Sequence, residues 1–253
     1  LDTQLLFLAL AQALTGISLF TGFFPGRKAP AVFFIRHCSA MAGSWLLISF
    51  FSQHPNRWLF GGLCVVYAVC AINFKLNHER WGRIGIHIAT VLAACGGMLS
   101  FADAPRQLPV WIQLWILCAL FLGAVTLGLS YFSLLTLRAS FVDTPDSQEN
   151  SRGYIQALIL VLFARGLHQA GTLLAIPIID ERWEIQIFEA ILAPGYSATL
   201  VSLTWLTGLF LPILLIASSS KNEQGHPLLP PYQQAITAVC AMLSVWIGLA
   251  VHL

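Results

Sequence analysis

Five ionisable side chains fall within apolar stretches that leave little room for charge: Arg36 and His37, His87, and Arg165 with His168. Facing imidazoles are the usual axial ligands when a helical bundle holds haem b, and a guanidinium beside them can meet a propionate. His37 lies about six residues into its apolar run and His87 about three into its own, so their depths agree within about one helical turn. They form the candidate pair of haem-iron ligands, with Arg36 beside them. A histidine could instead ligate a chlorin pigment, hydrogen-bond a quinone carbonyl, or sit at an interface as an ordinary hydrogen-bonded residue. His168 is about two turns deeper than His37 and pairs less well.

Arg165 is the sharpest single feature. It stands about eleven residues into its run, or about 16 Å, near the middle of a hydrocarbon core about 30 Å thick. None of the eleven Asp and Glu residues lies firmly inside an apolar run; Glu189, at an interface, comes closest. The guanidinium therefore calls for another counterpart. Backbone carbonyls of a broken helix, a haem propionate, a quinone oxygen, an internal water or an acid from another subunit would serve. The alternative is a helix that starts later or bends, letting Arg165 reach a wet cavity.

Other chemistries find no support. The chain has no P-loop, H-E-x-x-H, G-x-S-x-G or D-x-x-x-D pattern. Its six cysteines form no C-x-x-C and no C-x-x-C-H, and read as small apolar residues between helices. Gly128-Leu129-Ser130-Tyr131 is a poor nucleophile motif, and its small residues are better suited to close helix approach. An ion-coupled transporter usually carries a carboxylate in the membrane, and none is evident.

The elements that must position these residues follow from composition. Of 253 residues 57% are apolar and only 9% charged, with a net charge of +2, and the mean hydropathy is +0.76. A soluble domain carries roughly a quarter charged residues, so a soluble enzyme is excluded, as are a disordered chain and a nucleic-acid binder. What is expected is an all-α polytopic membrane bundle, a single transmembrane domain over 1–253 in contact with the lipid bilayer.

A span needs about 20 mostly apolar residues. Eight runs qualify: 4–24, 31–52, 58–74, 84–102, 110–137, 154–179, 196–217 and 232–252. The first is as long as a full span, unlike a short signal core. They must be helices, because hydrocarbon offers no other partner to the backbone. Odd-numbered connections carry Arg27, Lys28, Lys75, Arg80, Arg83, Arg138, Arg152 and Lys221, against Arg57, Arg106 and Arg182 on the other side. The positive-inside rule then places both termini outward, periplasmic for a bacterial inner membrane. Trp58, Trp111, Trp115 and Trp246 lie near span ends, as an aromatic belt would place them.

Two connections have their own character. The stretch 138–152 is polar and reads as a flexible cytoplasmic loop. Residues 183–193 alternate Trp183, Ile185, Ile187, Phe188 and Ile191 with Glu184, Gln186 and Glu189, and read as an amphipathic helix on the outer face.

Two runs share a pattern. Phe34-Ile35-Arg36 precedes Ala42-Gly43-Ser44, and Phe163-Ala164-Arg165 precedes Ala170-Gly171-Thr172, with His37 and His168 between. A repeat of four helices would keep both halves, 1–102 and 110–253, in the same orientation.

The first run, Leu6-Phe7-Leu8-Ala9-Leu10-Ala11-Gln12-Ala13-Leu14-Thr15-Gly16, resembles the opening helix of the DMSO-reductase-type membrane anchors. Leu120-Phe121-Leu122-Gly123-Ala124 is similar to their fifth. That resemblance implies eight helices, outward termini and a role in passing quinol electrons to a partner; it carries over no site residue. The sequence therefore reads as an accessory or anchor subunit of a larger redox or energy-transducing complex, with other membrane subunits as partners and a haem, quinone or pigment pocket at Arg36, His37, His87, Arg165 and His168. A small-molecule transporter without a carboxylate coupling site is the competing reading. A lipid or isoprenoid enzyme finds no acid–base constellation.

Overall fold

Long apolar runs can satisfy their backbone groups in hydrocarbon only by coiling, and the chain does so. The computed structural model describes residues 3–23, 31–51, 57–101, 110–140, 145–174, 205, 206, 210, 214, 220–221, 227–228 and 231–251. Among these are seven helices: α1 (Thr3–Phe23), α2 (Ala31–Phe51), α3 (Arg57–Lys75), α4 (Glu79–Phe101), α5 (Val110–Ser140), α6 (Pro145–Leu174) and α7 (Pro231–Val251). A short antiparallel pair, β1 (Ser220–Lys221) and β2 (Pro227–Leu228), sets Ser220 opposite Leu228.

Among the described residues the protein is thus all-α apart from one strand pair. Three segments, Ala31–Phe50, Arg57–Lys75 and Gln113–Leu135, are long and apolar enough to cross a membrane, and Leu10–Gly22 is a shorter apolar one. These make it a multi-pass membrane protein. The expected amphipathic segment 183–193 lies outside the described residues, as does all of the run 196–217 except isolated positions.

Four helices begin and end within one residue of their apolar runs, but α4 and α6 start early. In α4 the cause is local. The acid Glu79 occupies its first turn, where the helix dipole favours it, and reaches Arg83 at 3.5 Å across one turn. In α6 the helix opens on Pro145, whose fixed φ and missing N–H suit a first helical position. Of the stretch 138–152 expected to be a loop, the described residues are helical: α5 runs to Ser140 and α6 begins at Pro145. Helix continues beyond the apolar runs because polar residues outside the hydrocarbon do not terminate it.

The chain divides into two compact units, 1–128 and 129–253, with the division inside α5. In the first, α2 and α3 pack as an antiparallel hairpin. Phe34 stacks on Phe74 at 4.8 Å and Trp45 on Phe60 at 5.6 Å. The corner from α3 to α4 is a Schellman turn. Asn77 adopts φ 60°, its N–H reaches the Phe74 carbonyl at 3.2 Å, and the His78 N–H reaches that of Asn73 at 2.8 Å. Thr90 of α4 shares its hydroxyl proton between the Ile86 carbonyl of its own helix at 2.9 Å and the Ser18 carbonyl of α1 at 3.0 Å.

At two glycines α1 and α5 come close enough for their main chains to touch. A methyl group at Gly16 would collide with the Ala124 carbonyl, and one at Gly128 with the Gly16 carbonyl. Lipid gives no hydrophobic gain for bringing helices together, so such backbone contact and interhelical hydrogen bonds must hold them. Outward faces are apolar, as a lipid-facing surface requires; Val65, Val69 and Ile72 form one such stripe on α3.

In the second unit Phe132 stacks on Tyr154 at 6.0 Å. The buried face of α6 carries Ile155, Leu158, Leu162 and Arg165. That of α7 carries Thr237, Ala238, Ala241, Ser244 and Val245.

Candidate functional site

Arg165 follows Ile155, Leu158 and Leu162 at helical spacing, so the same turn that buries those side chains carries the guanidinium inward. It is 9% exposed. The small residues Ala241 and Ser244 on α7 leave room for it. Nη1 donates to Ser244 Oγ at 2.7 Å and Nη2 to the Ser244 carbonyl at 2.9 Å. Ser244 Oγ directs its own proton to the Ala241 carbonyl at 2.8 Å, leaving its lone pairs to Arg165.

One residue thus grips the guanidinium with two uncharged acceptors, partners of the kind that backbone carbonyls were expected to supply. Hydrogen bonds to a charged group contribute about 1.5–3 kcal/mol each, against a desolvation penalty of several kcal/mol for a buried ion. Among the described residues no carboxylate reaches Arg165, and these two bonds use only part of its five N–H donors. Polarity is matched; charge is not.

His168, one turn further along α6, is half-buried and shares the side of the helix that bears Arg165. These two site residues are brought together.

In the first unit His37 is buried, 6% exposed, with its ring stacked on Phe33 at 5.5 Å. Its Nε2 lies 2.8 Å from Thr21 Oγ1. Thr21 directs its single proton to the Ile17 carbonyl at 2.7 Å, so its oxygen acts as acceptor and Nε2–H as donor. That nitrogen is committed to α1. Arg36, the next residue, is exposed, and so is His87 on α4, whose neighbours Ile86 and Ala89 carry the packed face instead. Of the three, the structure buries His37 alone and leaves Arg36 and His87 exposed. Among the described residues no group of three or more His, Cys, Asp or Glu is placed to hold a metal ion.

The repeated motif also turns different ways. In α2 Phe34 is buried and Arg36 exposed; in α6 Phe163 is exposed and Arg165 buried. Equivalent letters do not occupy equivalent environments.

Sequence reasoning passed over two sets of residues. Ser244 and Thr21, which hold Arg165 and His37, are single small polar residues of ordinary helical sequence. The other set lies on α1, where Gln12, Thr15, Ser18 and Thr21 recur at every third position, wind half-way round the helix and are all at most 3% exposed. Their spacing was the available signal. Gln12 Nε2 donates to the Leu120 carbonyl at 2.7 Å, yet Gln12 Oε1, Thr15 Oγ1 and Ser18 Oγ have no hydrogen-bond partner among the described residues. The Tyr67 hydroxyl of α3 faces Ser18 without closing a well-formed bond.

The chain matches no protein-family model, no curated protein and no solved structure.

Proposed function

We propose that this protein is an integral membrane subunit, accessory or anchoring in role, of a larger redox or energy-transducing complex. In this reading it crosses an inner membrane eight times with both termini outside. One observation carries the proposal: Arg165 is buried on α6, held by uncharged acceptors of Ser244, with no countercharge among the described residues. A residual positive charge deep in a bundle is costly to keep and suits an anionic or strongly polar group brought by a partner. An acid of another subunit, a haem propionate or a quinone oxygen has that chemistry. His168, one turn away, would flank the same group. The resemblance of α1 to the DMSO-reductase-type anchors supports the same architecture.

The test is purification of the tagged chain from its native membrane in mild detergent. Co-purifying chains are identified by mass spectrometry, quinone and pigment by extraction, and haem by a reduced-minus-oxidised spectrum. The expected result is a defined partner set that Arg165→Leu releases and Arg165→Lys retains in part. A lone, colourless, quinone-free protein whose yield is indifferent to Arg165→Leu would overturn the proposal.

A further inference from the structure

Between Lys75 and Arg83 the chain sets three cations and one acid within nine residues, around the corner that joins α3 to α4. Arg83 answers Glu79 at 3.5 Å, so those two charges offset each other. Lys75 and Arg80 are both exposed, and among the described residues no carboxylate pairs with either. The corner is tight. The His78 N–H reaches back to the Asn73 carbonyl, and a methyl group at Gly82 would collide with the Phe74 ring. The first turn of α4 is therefore folded onto the last turn of α3, which keeps Lys75 and Arg80 within two residues of that contact. Phe34 of α2 stacks on the same ring. Exposed Arg36, about 3 Å further along α2, adds its charge at the same level of the bundle.

What lies below the corner decides the kind of anion. Leu76 and Trp81, 59% and 65% exposed, flank the cations. In line with Leu76, Ile72 and Val69 form an exposed aliphatic stripe down α3; in line with Trp81, Ile84 and Ile88 form another down α4. A tryptophan between charge and aliphatic surface is the residue that settles at the boundary of hydrocarbon and water.

We infer that the α3–α4 corner is a binding site for an acidic phospholipid, its phosphate held by Lys75 and Arg80 and its acyl chains lying along the two stripes. A soluble phosphate or an acidic peptide would use the cations and leave the aliphatic side chains uncovered. A phospholipid uses both. Cations at a membrane surface favour acidic over zwitterionic headgroups, and two of them together favour the acidic lipid by about tenfold. The inference needs only that α3 and α4 meet lipid, and so stands apart from the proposed subunit role.

Native mass spectrometry tests it. The full chain, purified in mild detergent, is mixed with equal amounts of phosphatidylglycerol and phosphatidylcholine bearing the same acyl chains, and the bound lipids are counted. Phosphatidylglycerol is expected to exceed phosphatidylcholine about tenfold. Arg80→Gln is expected to lower that ratio at least threefold, and Lys75→Gln/Arg80→Gln to bring it near one. Arg57→Gln, which removes an exposed cation from the far end of α3, is expected to leave it unchanged. Glycerol phosphate at the same concentration, having no chains for the stripes, is expected not to displace the lipid. A wild-type ratio near one overturns the inference. So does a loss in Arg57→Gln equal to that in Arg80→Gln, which would leave net charge as the whole cause. Displacement by glycerol phosphate would assign the cations to a soluble anion and overturns it too. A dimer or a co-purified chain that the double variant releases, with the lipid ratio unmoved, assigns the corner to a protein and overturns it as well.

Discussion

Ser244 and Thr21 do the same work in different units, each giving a buried cationic or imidazole N–H an uncharged acceptor. Removing such an acceptor strands the donor. Ser244→Ala is expected to lower stability by about 1–3 kcal/mol, measured by denaturant unfolding in detergent micelles, with part of the grip kept by the backbone carbonyl. Ser130→Ala provides the contrast. Its hydroxyl is buried without a partner among the described residues, so its loss is expected to be neutral or stabilising. Thr21→Val is expected to destabilise by a similar ~1–3 kcal/mol by stranding His37 Nε2, and Thr21→Ser to restore most of it. The burial of Arg165 was legible in the sequence, because a long apolar run surrounds it on both sides. Its partner was not, because a serine in an apolar helix gives no sign of which helix it will face. The opposite fates of Arg36 and Arg165 were equally hidden. Both sit in Phe-x-Arg, and a helix apolar all round does not reveal its own rotation.

At the scale of elements, helix ends were legible where the helix is as long as its apolar run, as at α2 and α7, and not where helix outlasts that run, as at α4 and α6. The α3–α4 corner rests on one left-handed residue. Asn77→Gly is expected to be neutral or slightly stabilising, whereas Asn77→Val should cost about 1–2 kcal/mol in the same unfolding assay. The α1–α5 seam is less forgiving. A side chain at Gly16 meets main chain, which cannot swing aside, so Gly16→Leu is expected to separate the two helices. Disulfide trapping of Thr15→Cys with Cys118 or other α5 positions replaced by cysteine would register that separation as lost cross-linking. A high retained yield would show that α5 packs on another face.

For the whole molecule, the membrane class was legible from composition alone, since 9% charge leaves no aqueous surface to speak of. The arrangement of helices was not, because apolar periodicity fades when lipid replaces water on the outer side. The proposed topology predicts that a reporter fused after Leu253 is active on the outer face and one inserted at His78 on the cytoplasmic face. Both activities reversed would invert the orientation, whereas a C-terminal reporter on the inside together with His78 inside would change the count by one span.

The bond from Gln12 to Leu120 closes a loop of 108 residues. A ribosome adding about 5–20 residues per second delivers α5 roughly 5–20 s after α1 has left the exit tunnel. Throughout that interval the glutamine amide sits in or beside the lipid with its intended acceptor not yet made. The nascent chain therefore needs the insertion machinery, or a holding factor, to shelter its first helix. Products truncated before the fifth should be recognised and degraded.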